Sequence, residues 1–397
     1  MRILILDGDQ NQAVACVRSL SGQGHVARVG ESRSWSKAGW SRYSSGSFRY
    51  ASPETDPQKF LLDVLAEAAQ ERGTLVLPMT EATTLLISSH REEFLAAGIR
   101  LVLPEHADLL RAIDKRCTTA LAQSLGIAIP KTYSLESLEQ VSDISPQIRF
   151  PVVLKPKTSH EQSANGVHAT GRPTYAGNAD ELIAAITKMQ GRCSALLIQE
   201  FVEGTGTGYF ALMNHGELRA EFAHRRIRDV HPTGSGSALR ESILPIPQIR
   251  EQSLALLRAL NWHGVAMIEF RLGADNVPVF LEVNGRFWHS LPLACYAGVD
   301  FPALLAHLAE FGDVDPPPAY RVGVKCRWLV GDFRHLLEVW RGRPPGFPGT
   351  FPRRLPTLLA ELIPKPGTFH DNFVWNDPLP ELGDWIHLAR QVGERAR

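Results

Sequence analysis

The segment Trp262–Arg286, WHGVAMIEFRLGADNVPVFLEVNGR, constrains this chain more than any other. Val265–Leu272 and Val277–Asn284 both alternate with period two. Asp275-Asn276 between them suits a two-residue hairpin turn, because Asn and Asp tolerate positive φ. With those two residues at the turn centre, Glu269 faces Glu282. Ala266, Ile268, Phe270 and Leu272 then share an apolar, core-directed face with Val277, Val279, Leu281 and Val283. The other face carries Met267, Glu269, Arg271, Phe280, Glu282, Asn284 and Arg286. Like charges directly opposite on a sheet repel, so the acid pair needs a compensating cation. Two carboxylates and an amide carbonyl are hard oxygen donors that suit Mg²⁺ carrying nucleotide phosphates. The plainer alternative is a solvated face with Arg271 or Arg286 as salt-bridge partner.

A chain of 397 residues, 44% hydrophobic and 21% charged, exceeds one ordinary core and implies two or three domains. Its 42 basic residues balance 42 acidic ones, without a basic block, so nothing draws it to nucleic acid or anionic membrane. The cysteines (Cys16, Cys117, Cys193, Cys295 and Cys326) lack CxxC spacing. That suits a reducing cytoplasm and argues against a disulfide framework or a zinc site. MRILILDGDQ lacks the features of a signal peptide, and no run approaches the ~18 apolar residues of a membrane span. The expectation is a soluble cytoplasmic protein without nucleic-acid or membrane partners, a homodimer being the default assembly.

Strand Arg2–Leu6, the loop DGDQNQ, helix Ala13–Leu20 and the apolar VARVG read as the start of an α/β domain. Helix Pro57–Glu71, strand Thr74–Pro78, helix Glu81–Ala97 and strand Arg100–Pro104 continue it, with Ser32–Ser52 as loop. The loop DGDQNQ is not GxGxxG, which argues against a dinucleotide site. Ala107–Gly126 reads as helical, followed by a polar helix near Leu135–Val141 and strand Pro151–Pro156. Helix Asp180–Met189, strand Ala195–Gln199 and the strand pair Gly208–Met213 and Glu217–His224 complete a smaller α+β unit. Helix Ile249–Leu260 precedes the hairpin and helix Phe301–Phe311 follows it. Beyond Pro316 the chain is rich in proline and tryptophan and reads as an accessory segment wrapped on the body.

Several motifs, in order and spacing, resemble the ATP-grasp superfamily, in its carboxylate–amine ligase branch related to carbamoyl-phosphate synthase and D-alanine–D-alanine ligase. They are DKRCTTALAQSLGIAIPKT with Lys115, FPVVLKP with Lys155, LIQEFVEG, AHRRIRD, and IEF with LEVNGR. The resemblance covers about residues 1–312. It implies a Rossmann-like pre-ATP-grasp domain over 1–106 and an ATP-grasp domain over 107–312. Within the latter, a lid subdomain spans about 128–202 and a metal-binding subdomain about 203–312, leaving 313–397 as the accessory segment.

The resemblance also implies roles. Lys115 and Lys155 would reach the phosphates from two sides. Gln199, Glu200, Phe201, Val202 and Glu203 would hold adenine and ribose through backbone groups and one acid. Glu269, Glu282 and Asn284 would hold Mg²⁺, with Mn²⁺ as a substitute. Arg286 would meet the transferring phosphoryl or the substrate carboxylate, since a guanidinium fork matches either. Arg225 and Arg226 lie on opposite sides of one strand, and Arg225 is the favoured partner of the γ-phosphate. Arg240 would clamp the acid, its plainer alternative being a loop salt bridge with Glu241 or Asp229. His224, His231 and His289 are read as hydrogen-bond partners without a catalytic role, and Trp262 and Trp288 as packing.

Relatives carry a glycine-rich phosphate loop after the second lysine. This chain has KTSHEQSANGV, where only Gly166 remains and Ser159 or Ser163 would substitute. The activity implied is formation of an amide from a carboxylate and an amine through an acylphosphate, with release of ADP and phosphate. The alternatives are bicarbonate activation, as in carboxylating or carbamoyl-forming relatives, and a nucleotide-binding regulatory protein without turnover.

Overall fold

The computed structural model describes residues 1–135, 147–158, 160–163, 166–171, 173–189, 193, 195–273, 275–363 and 365–395. The polar helix expected near Leu135–Val141 falls almost wholly outside them, as does Ser159.

Arg2–Ile5, Val26–Glu31 and Leu75–Leu77 form a parallel sheet, with Val26–Glu31 flanked on its outer side by Ser47–Arg49. Ile3, Leu4 and Ile5 are fully buried, the unbroken apolar run expected of a parallel strand covered on both faces. The stretch read as loop therefore supplies an edge strand. Residues 81–97 form two helices, Glu81–Ser89 and Arg91–Ala96, rather than one. Ser88, Ser89 and His90 bond back to the carbonyls of Leu85 and Leu86, competing with the helical ladder at that point. Of the strand expected at 100–104, only an isolated bridge between Leu75 and Arg100 forms. Residues 107–126 likewise divide, into His106–Ile113 and Lys115–Ser124, because extended Asp114 caps the second helix.

A second, antiparallel sheet runs in the order Thr132–Leu135, Leu196–Glu200, Val152–Pro156, Thr174–Ala176. Helix Ala179–Met189 covers one face, burying Leu182 and Ile186 against Val152, Leu154 and Ile198.

The central sheet has seven strands, in the order Pro278–Asn284, Gly264–Leu272, Thr205–Asn214, Glu217–Arg228, Leu239–Ile243, Lys325–Arg327, Thr368–His370. Alternate residues of its strands enter two cores. Phe210, Leu212 and Phe222 pack with Trp288, Leu308 and the first sheet's Ile3 and Ile5. Tyr209, Ala211, Met213, Ile268 and Phe270 pack with Trp262 and Leu257 on the opposite face. Each large apolar side chain buried this way contributes about 1.5–3 kcal/mol. Residues 313–397 are thus more than a wrapping: they supply the last two strands, and Asp371 is fully enclosed against Arg240. Among the described residues no single helix is long and apolar enough to cross a membrane.

In the hairpin, Met267 pairs with Asn284, Ile268 with Val283 and Glu269 with Glu282. Beyond Glu269 the register slips by one, so Phe270 pairs with Phe280 and Leu281 becomes the extra residue of a β-bulge. The bulge exchanges two expected positions. Phe280 turns into the core, its ring 5.9 Å from that of Phe270, and Leu281 joins Glu282 on the cleft side. The strands stop at Leu272 and start again at Pro278, so the connection exceeds the two-residue turn expected. Proline cannot donate to a ladder and is tolerated as a strand's first residue, and Asn276 takes the left-handed φ of 58°.

Candidate active site

A cleft of about 280 Å³ opens between the second sheet and the carboxylate face of the hairpin. Its wall includes Lys115, Lys155, Gln199, Glu200, Phe201, Val202, Arg226, Glu269, Arg271 and Glu282. The two lysines converge through local contacts. Asp114 accepts from Arg116 N and Cys117 N at the helix start and pairs with Lys157 Nζ at 2.9 Å. Lys115 N also donates to Lys157 O at 3.2 Å. The helix carrying Lys115 is thereby fastened to the end of the strand carrying Lys155.

Glu269 and Glu282 are each met by a cation. Arg226 Nη2 lies 2.7 Å from Glu269 Oε2, and Lys115 Nζ lies 3.7 Å from Glu282 Oε2. Burial pushes the Glu282 carboxyl up, but Lys115, Lys155 and the Asn284 amide outweigh it and hold it below the usual carboxylate range. Burial lowers the Lys155 ammonium below its ordinary value; Glu282 opposes that shift and Lys115 adds to it. Asn284 Nδ2 donates to Glu282 Oε1 at 3.2 Å, although Asn284 itself lies outside the cleft wall.

The strand end 199–202 is only partly available to a ligand. Glu200 N donates to Lys131 O and Phe201 N to Pro151 O, both at 3.0 Å. The Gln199 amide donates to Thr132 Oγ1 at 3.1 Å. The Val202 N–H donates to no backbone carbonyl among the described residues. Glu200 Oε1 is buried without a hydrogen-bond partner, which matters because a buried unpaired acceptor costs about 1–3 kcal/mol. Glu203 is exposed and outside the cleft wall, so Glu200 is the acid that faces in.

Three arginine expectations need correction. Arg225 points away from the cleft to Glu241, with its Nη2 at 2.6 Å, and its side chain is 57% exposed. The β-strand alternation puts Arg226 in the cleft instead. Arg240 is no clamp at the cleft: it is fully buried, paired with Asp371 and donating to Ser237 O at 3.1 Å. Neither Glu241 nor Asp229 is its partner. Arg286 lies beyond the end of the strand and outside the cleft wall, and its Nη1 donates to Phe287 O at 2.9 Å.

Arg271 also lines the cleft; the sequence placed it on the Glu269 face only as a salt-bridge partner of the acids, whereas its guanidinium meets the carbonyls of Gly204 and Gly234. Its place two residues after Glu269, on the same strand face, was the available signal of its cleft position. His224 is buried with its ring 4.7 Å from Phe210, His231 meets Glu338 Oε1 at 2.6 Å, and His289 packs 4.3 Å from Trp328. Burial lowers His289 to about 3.

The donor set fits a hard divalent cation that brings its own ligands. Among the described residues no group of three or more His, Cys, Asp or Glu gathers to make a complete protein cage. Two opposed carboxylates with an adjacent Asn amide match Mg²⁺, which keeps few protein ligands and takes others from phosphates.

Residues 192–331 match the family model described as "ATP-grasp in the biosynthetic pathway with Ter operon". That stretch is similar to an ATP-grasp domain. It is 24% identical over 276 residues to the carbamoyl phosphate synthase large chain of Thermus thermophilus, 66% of this chain and 26% of that protein. It is 25% identical over 217 residues to the D-alanine–D-alanine ligase of Nitrosomonas europaea, 50% of this chain and 67% of that one. The chain thus spans about a quarter of the length of the synthase large chain it matches. In fold, the chain resembles the biotin carboxylase of Campylobacter jejuni, solved as a β-γ-ATP complex. The TM-score is 0.65 at 14% identity, covering 82% of this chain and 74% of that one.

Proposed function

We propose that this protein is an ATP-dependent ligase that joins a carboxylate to an amine through an acylphosphate. One observation carries the reading: Glu269 and Glu282 oppose each other at the wall of a cleft that also presents Lys115, Lys155 and Arg226. Phosphoryl transfer is catalysed mainly by positioning and charge stabilisation, and these groups are of the kind it uses.

Glu269, Glu282 and Asn284 would hold Mg²⁺, which when bound supplies charge neutralisation and a template for the phosphates. Lys115 and Lys155 flank the phosphates. Glu200, with its unpaired oxygen, and the Val202 N–H meet the adenine amino group or the ribose. Arg226 neutralises charge on the transferring phosphoryl. An oxygen of the substrate carboxylate attacks the γ-phosphorus and the bond to the β,γ-bridging oxygen breaks, giving acylphosphate and ADP. The amine nitrogen then attacks the acyl carbon, the C–O bond to phosphate breaks, and the amine proton passes to solvent. In this reading residues 1–106 form a Rossmann-like domain, 128–202 the lid, 203–312 the metal-binding subdomain and 313–397 a segment completing the central sheet.

The test is Mg²⁺-dependent ADP release against a panel of amino acids and other carboxylates, with and without amines, using Glu282→Gln as blank. Release that needs one acid and one amine, with product mass equal to their sum less water, supports the reading. Release with bicarbonate alone overturns amide formation in favour of carboxylation.

A further inference from the structure

Arg271 spans the cleft wall in an unusual way. Its Nη1 donates to Gly204 O at 2.8 Å and its Nη2 to Gly234 O at 2.9 Å. Gly204 lies two residues beyond Val202, in the segment that faces adenine in the proposed reading. Gly234 belongs to the turn His231–Gly236, closed by His231 N to Ser235 O at 3.0 Å and Gly234 N to His231 O at 2.8 Å. Both carbonyls come from glycines for a physical reason. Gly204 sits at φ 149° and Gly234 at φ 103°, where side chains are strained, and a Cβ on Gly234 would lie 2.2 Å from Arg271 Nη2. The neighbouring carbonyl, Thr233 O, accepts from Tyr175 Oη at 2.8 Å. Tyr175 reaches it from the second sheet, where its ring packs against Phe201 and against Phe347 of the C-terminal segment. Arg271, Gly234, Tyr175 and Phe201 all line the cleft.

We infer that Arg271 is a positioning residue for nucleotide binding, its forked guanidinium fixing the 231–236 turn against the strand end 199–204. This rests on the reading of the cleft as the nucleotide site. Tyr175 holds the same turn from the other side, so the turn is gripped by two successive carbonyls. A guanidinium presents donors in a rigid fork to two acceptors at once, whereas an ammonium is a point donor on a flexible stem.

The experiment measures equilibrium binding of MgADP, without turnover, together with hydrogen exchange of the 231–236 amides in the nucleotide-free protein. Arg271→Met removes the fork. Gly234→Ala evicts it from the opposite side and guards against a folding defect peculiar to one variant. Each weakens binding about tenfold or more, as loss of charge-assisted hydrogen bonds predicts, and the double variant is no weaker than the worse single one. In Arg271→Met the turn amides exchange faster even without nucleotide. Arg271→Lys keeps the charge and recovers little of the affinity. Wild-type affinity in Arg271→Met, or full recovery in Arg271→Lys, overturns the inference while leaving the nucleotide reading intact. Failure of the wild-type protein to bind MgADP overturns that reading, and the inference with it.

Discussion

Glu269 and Glu282 stand directly opposite each other on adjacent strands, and cations from two other parts of the chain meet them. Arg226 comes from the strand Glu217–Arg228, separated from the hairpin by Thr205–Asn214 in the same sheet, while Lys115 comes from a helix N-terminus outside it. The acid pair therefore does not rely on its own hairpin for neutralisation. In the proposed reading, a divalent cation arriving at the two carboxylates would displace part of that pairing and free Arg226 and Lys115 for the phosphates.

The two adjacent arginines should separate cleanly. Arg226→Met leaves Glu269 without its partner in a mostly buried setting and should lower nucleotide turnover about a hundredfold or more. Arg225 and Glu241 form a pair on the exposed side, the class that contributes about 0–1 kcal/mol. Arg225→Met should keep turnover within a few-fold of wild type. Steady-state ADP release by the two variants checks this, and the reverse order would place the wrong arginine in the cleft.

Asp371→Asn should damage the fold rather than the chemistry. Arg240 and Asp371 are both fully buried, with Asn11 Nδ2 and Cys326 Sγ also donating to the same carboxylate. Breaking such a pair by removing one partner costs about 3–5 kcal/mol. Denaturant titration of the full chain is the measurement. A midpoint unchanged from wild type would show that the Arg240–Asp371 pair does not hold the fold.

Glu381 gives a pH dependence of stability. Burial, then the nearby Asp384 charge, pushes its carboxyl from 4.5 to about 7. Between those values the folded state keeps a proton that the unfolded chain releases, so stability falls as pH rises from about 4.5 to about 7. Each pH unit separating the folded and unfolded values is worth up to about 1.4 kcal/mol. Glu381→Gln should therefore stabilise the protein at pH 8 and hardly at all near pH 4.5. Glu31 and Glu361 are also raised to about 7, so the variant flattens the slope without abolishing it. Melting curves from pH 5 to 8 test the sign; stabilisation at the acid end only would contradict it.

In the proposed reading, Lys155 should set the alkaline limit of nucleotide affinity. Burial lowers its ammonium below the ordinary value, and bound phosphates would raise it again. Binding then takes up a proton, and affinity falls as pH rises through the nucleotide-free value. Lys155→Arg should remove that decline, because arginine stays protonated. MgADP titrations from neutral to alkaline pH would show a decline confined to the wild-type protein.

Much of this site was legible because strand periodicity is local. The alternation in Val265–Leu272 and Val277–Asn284 was enough to set Glu269 against Glu282. The bulge at Leu281 was not legible, because no residue there demands one, and it moved Phe280 to the core and Leu281 to the cleft. The choice between Arg225 and Arg226 depended on which face of their strand met the hairpin, a fact of sheet order rather than of sequence. Arg240 looked like a cleft residue from its glycine-rich surroundings, yet its partner Asp371 lies 131 positions away. The C-terminal strands were hidden for the same reason: each is three residues long and pairs with a distant segment.

The most direct test is equilibrium binding of MgADP to the wild-type protein and to Glu282→Gln, with and without Mg²⁺. Wild type should bind in a Mg²⁺-dependent way, with a rise in melting temperature. At a hundred times the Kd that stabilisation is about 2.7 kcal/mol. Glu282→Gln should fold as well as wild type, lose the Mg²⁺ dependence and bind far more weakly. Equal, Mg²⁺-dependent binding by both proteins would contradict the assignment of the hairpin as the metal-nucleotide site.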